Sequence, residues 1–259
     1  KNQKLKGSFG RHKFEWENNK LGKSEQYIPP FKPLKVKNNE IHALLTGYRR
    51  SGVFWDAVYA QDKNILAAPI ELKINGETFK SITTRQVKAP FGHVIFETDF
   101  IYKDLKLTAV HDYDYDGMCK VTLKFAPVKP VKIDSMYFDI DLKKEYVTLY
   151  SAMGARLRNN FHGYVPEKEG LVWDSLRGRV LNPLLKGFRP YIWVGEQYKG
   201  FCWFAETPHN WSIDPSKPAQ TMTVEKSCGD KKHRARIVWT MNSTTAVPPF
   251  SIKRQKKPA

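Results

Sequence analysis

The sequence predicts an all-β fold: a large antiparallel two-sheet sandwich, supersandwich-like, with little helix. Two observations carry this. Apolar and polar residues alternate with period two through most of the chain, and Gly, Asn, Asp and Pro turn signals separate the alternating runs. A third removes the main rival, since no segment of ten or more residues shows a clean 3.6-residue apolar period. Sheets of this kind bury their apolar faces on one another, which yields a sandwich.

Residues 1–33 read as a basic, proline-rich lead-in that wraps the domain. Lys1 to Gly10 is polar and basic, and Ile28-Pro29-Pro30-Phe31-Lys32-Pro33 is stiff and extended. Residues 34–252 read as the β-sandwich domain. A strand at Ile70 to Ile74 ends on Asn75-Gly76. Val94, Phe96, Thr98, Phe100 and Tyr102 alternate with Ile95, Glu97, Asp99 and Ile101, and a hairpin partner follows from Leu105 to Ala109. Asp116-Gly117 suits a tight turn, after which Cys119, Val121, Leu123 and Phe125 form an inward face. Further strands are expected at Met136–Leu142, Tyr191–Val194, Phe201–Ala205, Thr221–Glu225 and Arg236–Thr240, with short turns near Leu176–Leu185. Pro248-Pro249 introduces a last strand, Phe250–Ile252, before a basic tail at residues 253–259.

At 259 residues and 41% hydrophobic, the chain can bury a large core, and no apolar run approaches the roughly 20 residues that span a bilayer. The sequence therefore reads as soluble. The three cysteines, Cys119, Cys202 and Cys228, form no C-x-x-C pair, so neither a disulfide framework nor a zinc ribbon is expected. Cys119 and Cys202 stand in apolar stretches and read as buried structural thiols. The net charge of +17 raises the question of a polyanion. Much of it lies in terminal lysines and scattered strand positions, without a helix-turn-helix, zinc-finger or RNP pattern, so nucleic acid is not expected. A solvated basic face accounts for it; an acidic polysaccharide remains an allowed partner.

Asp112-Tyr113-Asp114-Tyr115-Asp116-Gly117 matches the opening of a calcium loop, but the twelfth position is Leu123 where an EF-hand needs a bidentate acid. It reads as a strand end entering a hairpin, with a different kind of calcium site as the alternative. No metal site or cofactor is assigned. Asp56, Asp174, Glu196, Glu206 and Asp214 lie near aromatic residues, as sugar-site acids do and as many structural acids do. No G-x-S-x-G, H-E-x-x-H or Walker pattern occurs. Of the seven tryptophans, Trp193, Trp203 and Trp239 sit in alternating strands and read as core. Trp55, Trp173 and Trp211 stand beside Asp56, Asp174 and Asn210 in less regular stretches. They are the candidates for an exposed platform that stacks on sugar rings, so Trp55, Asp56, Trp173, Asp174 and Trp211 form the glycan-contact set.

The stretches Trp16 to Gly22, Pro29 to Val36, Leu66 to Ile70, Gly170 to Ser175, Phe188 to Gly195, Gly200 to Glu206 and Trp211-Ser212 resemble the N-terminal β-sandwich domain of glycoside hydrolase family 123 and related uncharacterised bacterial proteins. The resemblance covers the chain from about Trp16 to the tail. It implies a sandwich followed by a (β/α)8 barrel whose adjacent Asp-Glu pair supports hydrolysis of N-acetylgalactosaminides. This chain contains no Asp-Glu dipeptide and no barrel-like βα alternation, so no catalytic residue carries over. The resemblance also implies an extracytoplasmic, periplasmic or cell-surface, location.

Three readings follow. In the first, the chain is a non-catalytic N-terminal domain supporting a catalytic barrel of the parent chain, and it carries an apolar or aromatic docking patch. In the second, it is a stand-alone carbohydrate-binding module. In the third, a sugar-directed enzyme acts within the sandwich through Tyr, His and Arg, with His42, His93, His111, His162 and His209 as available imidazoles.

Overall fold

The computed structural model describes residues 7–22, 24–154, 160–177, 188–206, 210–211, 214, 216–226, 233–241 and 245–246, without the side chains of 226, 233–235, 239, 241 and 245–246. The expected tail, the strand at Phe250–Ile252, Cys228, His209 and most of the turns at Leu176–Leu185 lie outside these residues, as does the Trp239 side chain.

Strands β1 (Lys35–Lys37), β2 (Glu40–His42), β3 (Thr46–Arg50), β4 (Trp55–Ala60) and β5 (Lys63–Asn64) form an antiparallel meander in chain order. After β6 (Glu71–Ile74), a second meander contains β7 (Ser81–Val87), β8 (His93–Tyr102), β9 (Leu105–Asp114) and β10 (Cys119–Pro127). The remaining strands are β11 (Val131–Lys132), β12 (Met136–Lys143), β13 (Leu149–Ala152), β14 (Phe161–Tyr164), β15 (Gly170–Asp174), β16 (Tyr191–Gly195), β17 (Gly200–Phe204), β18 (Gln220–Lys226), β19 (His233–Met241) and β20 (Thr245–Ala246). They complete a five-stranded sheet ordered β15-β18-β19-β12-β6, a four-stranded sheet ordered β14-β13-β16-β17 and a β11-β20 ladder. A 3-10 turn at Lys144–Tyr146 is the one helical element among the described residues. The molecule is thus an all-β antiparallel sandwich, with its strands shared among several sheets.

Period-two alternation explains the longest ladders. In β9, Leu105, Leu107, Ala109, His111 and Tyr113 are buried, and the residues between them are not. β8 and β10 pair with β9 across ten and nine registered positions, so their inward sets face the same way. The D-x-D-x-D-G stretch is the end of β9 running into the β10 hairpin. Gly117 has φ +98, a conformation that favours glycine, and the Asp116 carboxylate accepts the Met118 N–H at 2.7 Å.

The first meander packs on the inner face of the second. Trp55 Nε1 donates to the Tyr113 hydroxyl at 2.9 Å, and the Tyr48 hydroxyl donates to the Gly117 carbonyl at 2.6 Å. The Arg50 guanidinium lies 3.6 Å from the Phe96 ring centre. His111 is fully enclosed beside Trp55 and Tyr113. Neither of its ring nitrogens completes a hydrogen bond of good geometry. Burial, joined by the Arg50 charge and weakly opposed by the Val53 backbone, lowers its pKa to about 4. The other interface is more apolar. Phe138 of β12 meets Phe54 at 4.8 Å and Trp203 at 4.6 Å, and Phe54 links this cluster to Trp55. Fully burying such side chains contributes about 1.5–3 kcal/mol each.

On the outward side of β12, the Asp139 carboxylate binds Lys73 Nζ at 3.1 Å and Arg236 Nη2 at 2.8 Å, and Arg236 also reaches Glu225 at 3.5 Å. Shielding by these long side chains leaves Asp139 buried on a face that points away from the core.

Two core expectations are corrected. Trp193 and Cys202 pair across β16 and β17 on the outward face, the opposite side from Ile192 and Trp203, so Cys202 is exposed and not a core thiol. Cys119, on the inner face of β10, is half-buried.

Candidate functional site

The five expected glycan contacts do not converge on one surface: Trp55, Trp173 and Trp211 pack against the core, while Asp56 and Asp174 are partly exposed at separate places. Trp55 is 4% exposed and Trp173 is 0% exposed, so neither offers an indole face to a sugar, contrary to the exposed platform expected of them. β-Bulges explain this. The β3–β4 register shifts between Arg49 and Arg50 opposite Trp55, and the β15–β18 register shifts between Leu171 and Trp173. An extra residue breaks the alternation in the sequence while turning the indole inward. Trp211 is half-buried, stacked on Phe188 at 5.5 Å and edge-on to Phe138 at 5.9 Å. The Asp174 carboxylate caps its own turn by accepting the Leu176 N–H at 2.9 Å. Asp56 alone joins a surface cluster.

That cluster lies on the outward face of β2, β3 and β4. Glu40 pairs with Arg49, and His42 with Gly47, which pairs in turn with Tyr59. Arg49 Nε donates to Asp56 Oδ2 at 3.2 Å, and Arg49 Nη1 donates to the Tyr59 hydroxyl at 3.4 Å. The Tyr59 hydroxyl donates to Glu40 at 3.2 Å, and His42 Nε2 lies 3.1 Å from the other Glu40 oxygen. Gly47 makes room for this: a Cβ there would stand 2.5 Å from His42 Nδ1. The His42 hydrogen bond, ahead of that from Tyr59, holds the Glu40 carboxyl below its ordinary value. Desolvation chiefly raises the Tyr59 phenol, and the Asp56 charge chiefly raises the Arg49 guanidinium. Around neutral pH the cluster therefore presents a carboxylate, a phenol and a guanidinium that mostly satisfy one another on an open sheet face. Such a surface exchanges hydrogen bonds with polar ligands; acid-base work needs a group poised near the operating pH and held against a substrate. Glu40, Arg49 and Tyr59 were not singled out in the sequence, because short strands gave them no recognisable spacing.

A second surface is built by β14, β13, β16 and β17, none of whose residues is Asp, Glu, Lys or Arg. Its outward rows are Tyr164-Leu149-Gly195-Gly200 and His162-Ser151-Trp193-Cys202, followed by Tyr191 opposite Phe204. The Trp193 indole lies over two glycines: a Cβ on Gly195 or Gly200 would stand 2.7 Å from its ring carbons. Tyr164 is 82% exposed and Phe204 57%. In the lead-in, Phe14 and Trp16 stack at 5.1 Å with 9° between their planes, and Trp16 is 67% exposed. Among the described side chains, the one strongly exposed indole is thus Trp16, outside the expected set.

Among the described residues, no three His, Cys, Asp or Glu side chains are grouped to hold a metal ion, and no helix is long and apolar enough to cross a membrane. No curated protein matches the chain. A family model described as glycoside hydrolase 123, third domain, matches residues 52–202, from the turn before β4 into β17. The match includes Trp55, Asp56, Trp173, Asp174 and, of the uncharged face, Tyr164, Trp193 and Cys202, and leaves out Phe204, Glu40, His42, Arg49, Trp16 and Trp211. N-terminal placement has no support in a model described as a third domain. Because the match spans more than half of the 259 residues, the chain belongs to the glycoside hydrolase 123 third-domain family.

Proposed function

We propose that this chain is a non-catalytic β-sandwich domain of an N-acetylgalactosaminidase-like glycoside hydrolase, supporting a (β/α)8 catalytic domain that lies outside this chain. The observation that carries the reading is the uncharged outer face of β14, β13, β16 and β17. In a protein with 27% charged residues, a four-stranded face with none, bearing Trp193, Tyr164 and Phe204, suits burial against another domain. The exposed Phe14–Trp16 stack is further apolar surface that a neighbouring domain would cover. In this reading, residues 1–33 form a lead-in, 34–252 the sandwich and 253–259 a tail. The protein works outside the cytoplasm on a glycan, an acidic one included given the net charge of +17.

Cys202 supplies the test, because its thiol stands on the proposed docking face. Maleimide labelling, read at Cys202 by peptide mass spectrometry, is compared between the isolated chain and the natural full-length protein. Labelling of the isolated chain and protection in the parent is the expected result. Equal labelling of both, or a natural reading frame that encodes no further domain, would overturn the reading.

A further inference from the structure

Alternation along β3 sends Arg49 outward to Asp56 and Arg50 inward, where its guanidinium lies 3.6 Å from the Phe96 ring centre. The Arg50 backbone is held on both sides: its N–H donates to the Asn39 carbonyl at 2.9 Å, and its carbonyl accepts from Asn39 Nδ2 at 3.0 Å. The side chain is half-buried, with Nε enclosed and without an acceptor. Nη1 and Nη2 are not enclosed and donate to no described residue, so that edge of the fork faces solvent. Among the described side chains, Arg11, Arg49, Arg85, Arg177, Arg189 and Arg236 each donate to a carboxylate or a backbone carbonyl; Arg50 donates to neither. Burial lowers the Arg50 pKa, opposed only by the Tyr113 phenol, so no carboxylate offsets the desolvation of the charge. The guanidinium still carries its proton at neutral pH. An anion arriving at its open edge would supply the missing partner.

The strand beside it is polar. Gln86 of β7 pairs with Phe96, and Thr84 with Thr98, so both stand on the same sheet face as the Phe96 ring. Both are exposed, and the Thr84 and Thr98 hydroxyls lie 3.2 Å apart. Phe96 is 6% exposed beneath the guanidinium, so a ligand here is held by hydrogen bonds at the fork and along β7, not by stacking. A carboxylate matches the parallel N–H groups of an arginine edge, and ring hydroxyls attached to it match the Gln86 amide and the Thr84 hydroxyl. We propose that Arg50 binds the carboxylate of a uronic acid residue in an acidic glycan, with Gln86 contacting the sugar hydroxyls. The net charge of +17 attracts such a chain without choosing where it binds; the unpaired fork makes the choice. The proposal rests on the reading of this chain as part of a glycan-directed protein. Its test reads binding by the chain alone, so its failure leaves Cys202 protection as it was, and the converse holds.

The enclosed Nε provides the means to test it, because its proton is shielded from exchange and reports on the fork by NMR. The 259-residue chain, labelled with 15N-arginine, is titrated with methyl glucuronide, methyl glucoside and acetate, and the Arg50 signal is assigned by its loss in Arg50→Lys. The expected result is a saturable shift of that signal with the glucuronide, none with the glucoside, and about tenfold weaker binding of acetate. By calorimetry, Arg50→Lys should weaken glucuronide binding about tenfold, since it keeps the charge and loses the fork. Gln86→Ala should weaken it about threefold. Lys124→Gln, which removes a charge from the outward face of β10, should leave it unchanged. Unchanged thermal melting excludes misfolding as the cause, and Gln86→Ala serves by itself if Arg50→Lys melts early. An Arg50 signal that the glucuronide leaves in place, or that the glucoside shifts equally, would overturn the proposal. So would equal loss of binding in Lys124→Gln and Arg50→Lys. Acetate binding as tightly as the glucuronide would overturn the sugar assignment and point to an acidic side chain of another protein surface.

Discussion

On the outward side of β7, β8, β9 and β10, Arg85 bridges Glu97 and Asp99, Lys106 reaches Asp99 at 3.2 Å, and His93 contacts Asp112 at 2.7 Å. On the outward side of β14, β13, β16 and β17, the same alternation delivers Tyr164, Trp193, Cys202 and Phe204, with no formal charge. Both sheets are four-stranded and antiparallel, and both bury their other faces in the core. Backbone geometry is common to them, so the difference lies in what each outer face meets. Paired charges keep a sheet face soluble in water; an aromatic face without charge suits contact with another protein surface.

The largest effects are expected beneath the two faces. Trp173→Ala, under the uncharged half, should cost about 3–5 kcal/mol in urea unfolding, since the indole is fully enclosed. Under the charged face, His111 makes stability depend on pH. Its folded pKa of about 4 lies below the ordinary value, so the unfolded chain takes up the proton first. Stability is then fully present above pH about 6.5 and falls as pH drops toward 4, by about 3 kcal/mol. His111→Phe should flatten that slope, and an unchanged slope would show that other groups dominate it.

Next come effects at the faces themselves. Gly195→Ala should cost about 1–3 kcal/mol, because the new Cβ would run into the Lys199 carbonyl and, at 2.6 Å, the Gly200 Cα of the facing backbone, as well as the edge of the Trp193 ring. Arg85→Ala should have a smaller effect, which high salt removes, as it does for exposed ion pairs. The smallest effect separates the two faces most sharply. Phe204→Lys should change the isolated chain by no more than about 0.5 kcal/mol, since the ring is mostly exposed, yet restore Cys202 labelling in the natural full-length protein. Protection of Cys202 that survives this substitution would place the docking surface elsewhere.

The sequence made the long strands of this comparison legible. Val94 to Tyr102 and Met136 to Leu142 show clean alternation, and β8 and β12 extend them by one residue at one end. Asp116-Gly117 likewise stands at the turn between β9 and β10. The strands β1 to β5 did not stand out, because none exceeds six residues and two of their inter-strand features, the bulge opposite Trp55 and Gly47 beneath His42, interrupt the pattern. β7 was equally silent, being an exposed edge strand whose inward positions are not apolar. The candidate surfaces were the least legible. Trp193 alternates as a core residue would, and only pairing with Cys202 places it outside. Trp55 and Trp173 sit in irregular stretches for the opposite reason, since bulges turned them into the core.

The most direct measurement is sugar release from a chromogenic N-acetylgalactosaminide by the purified 259-residue chain, beside the natural full-length protein under the same conditions. The account predicts release by the full-length protein and none by the chain alone. Release by the chain alone, abolished by Tyr59→Phe or His42→Ala in the outward cluster, would contradict it.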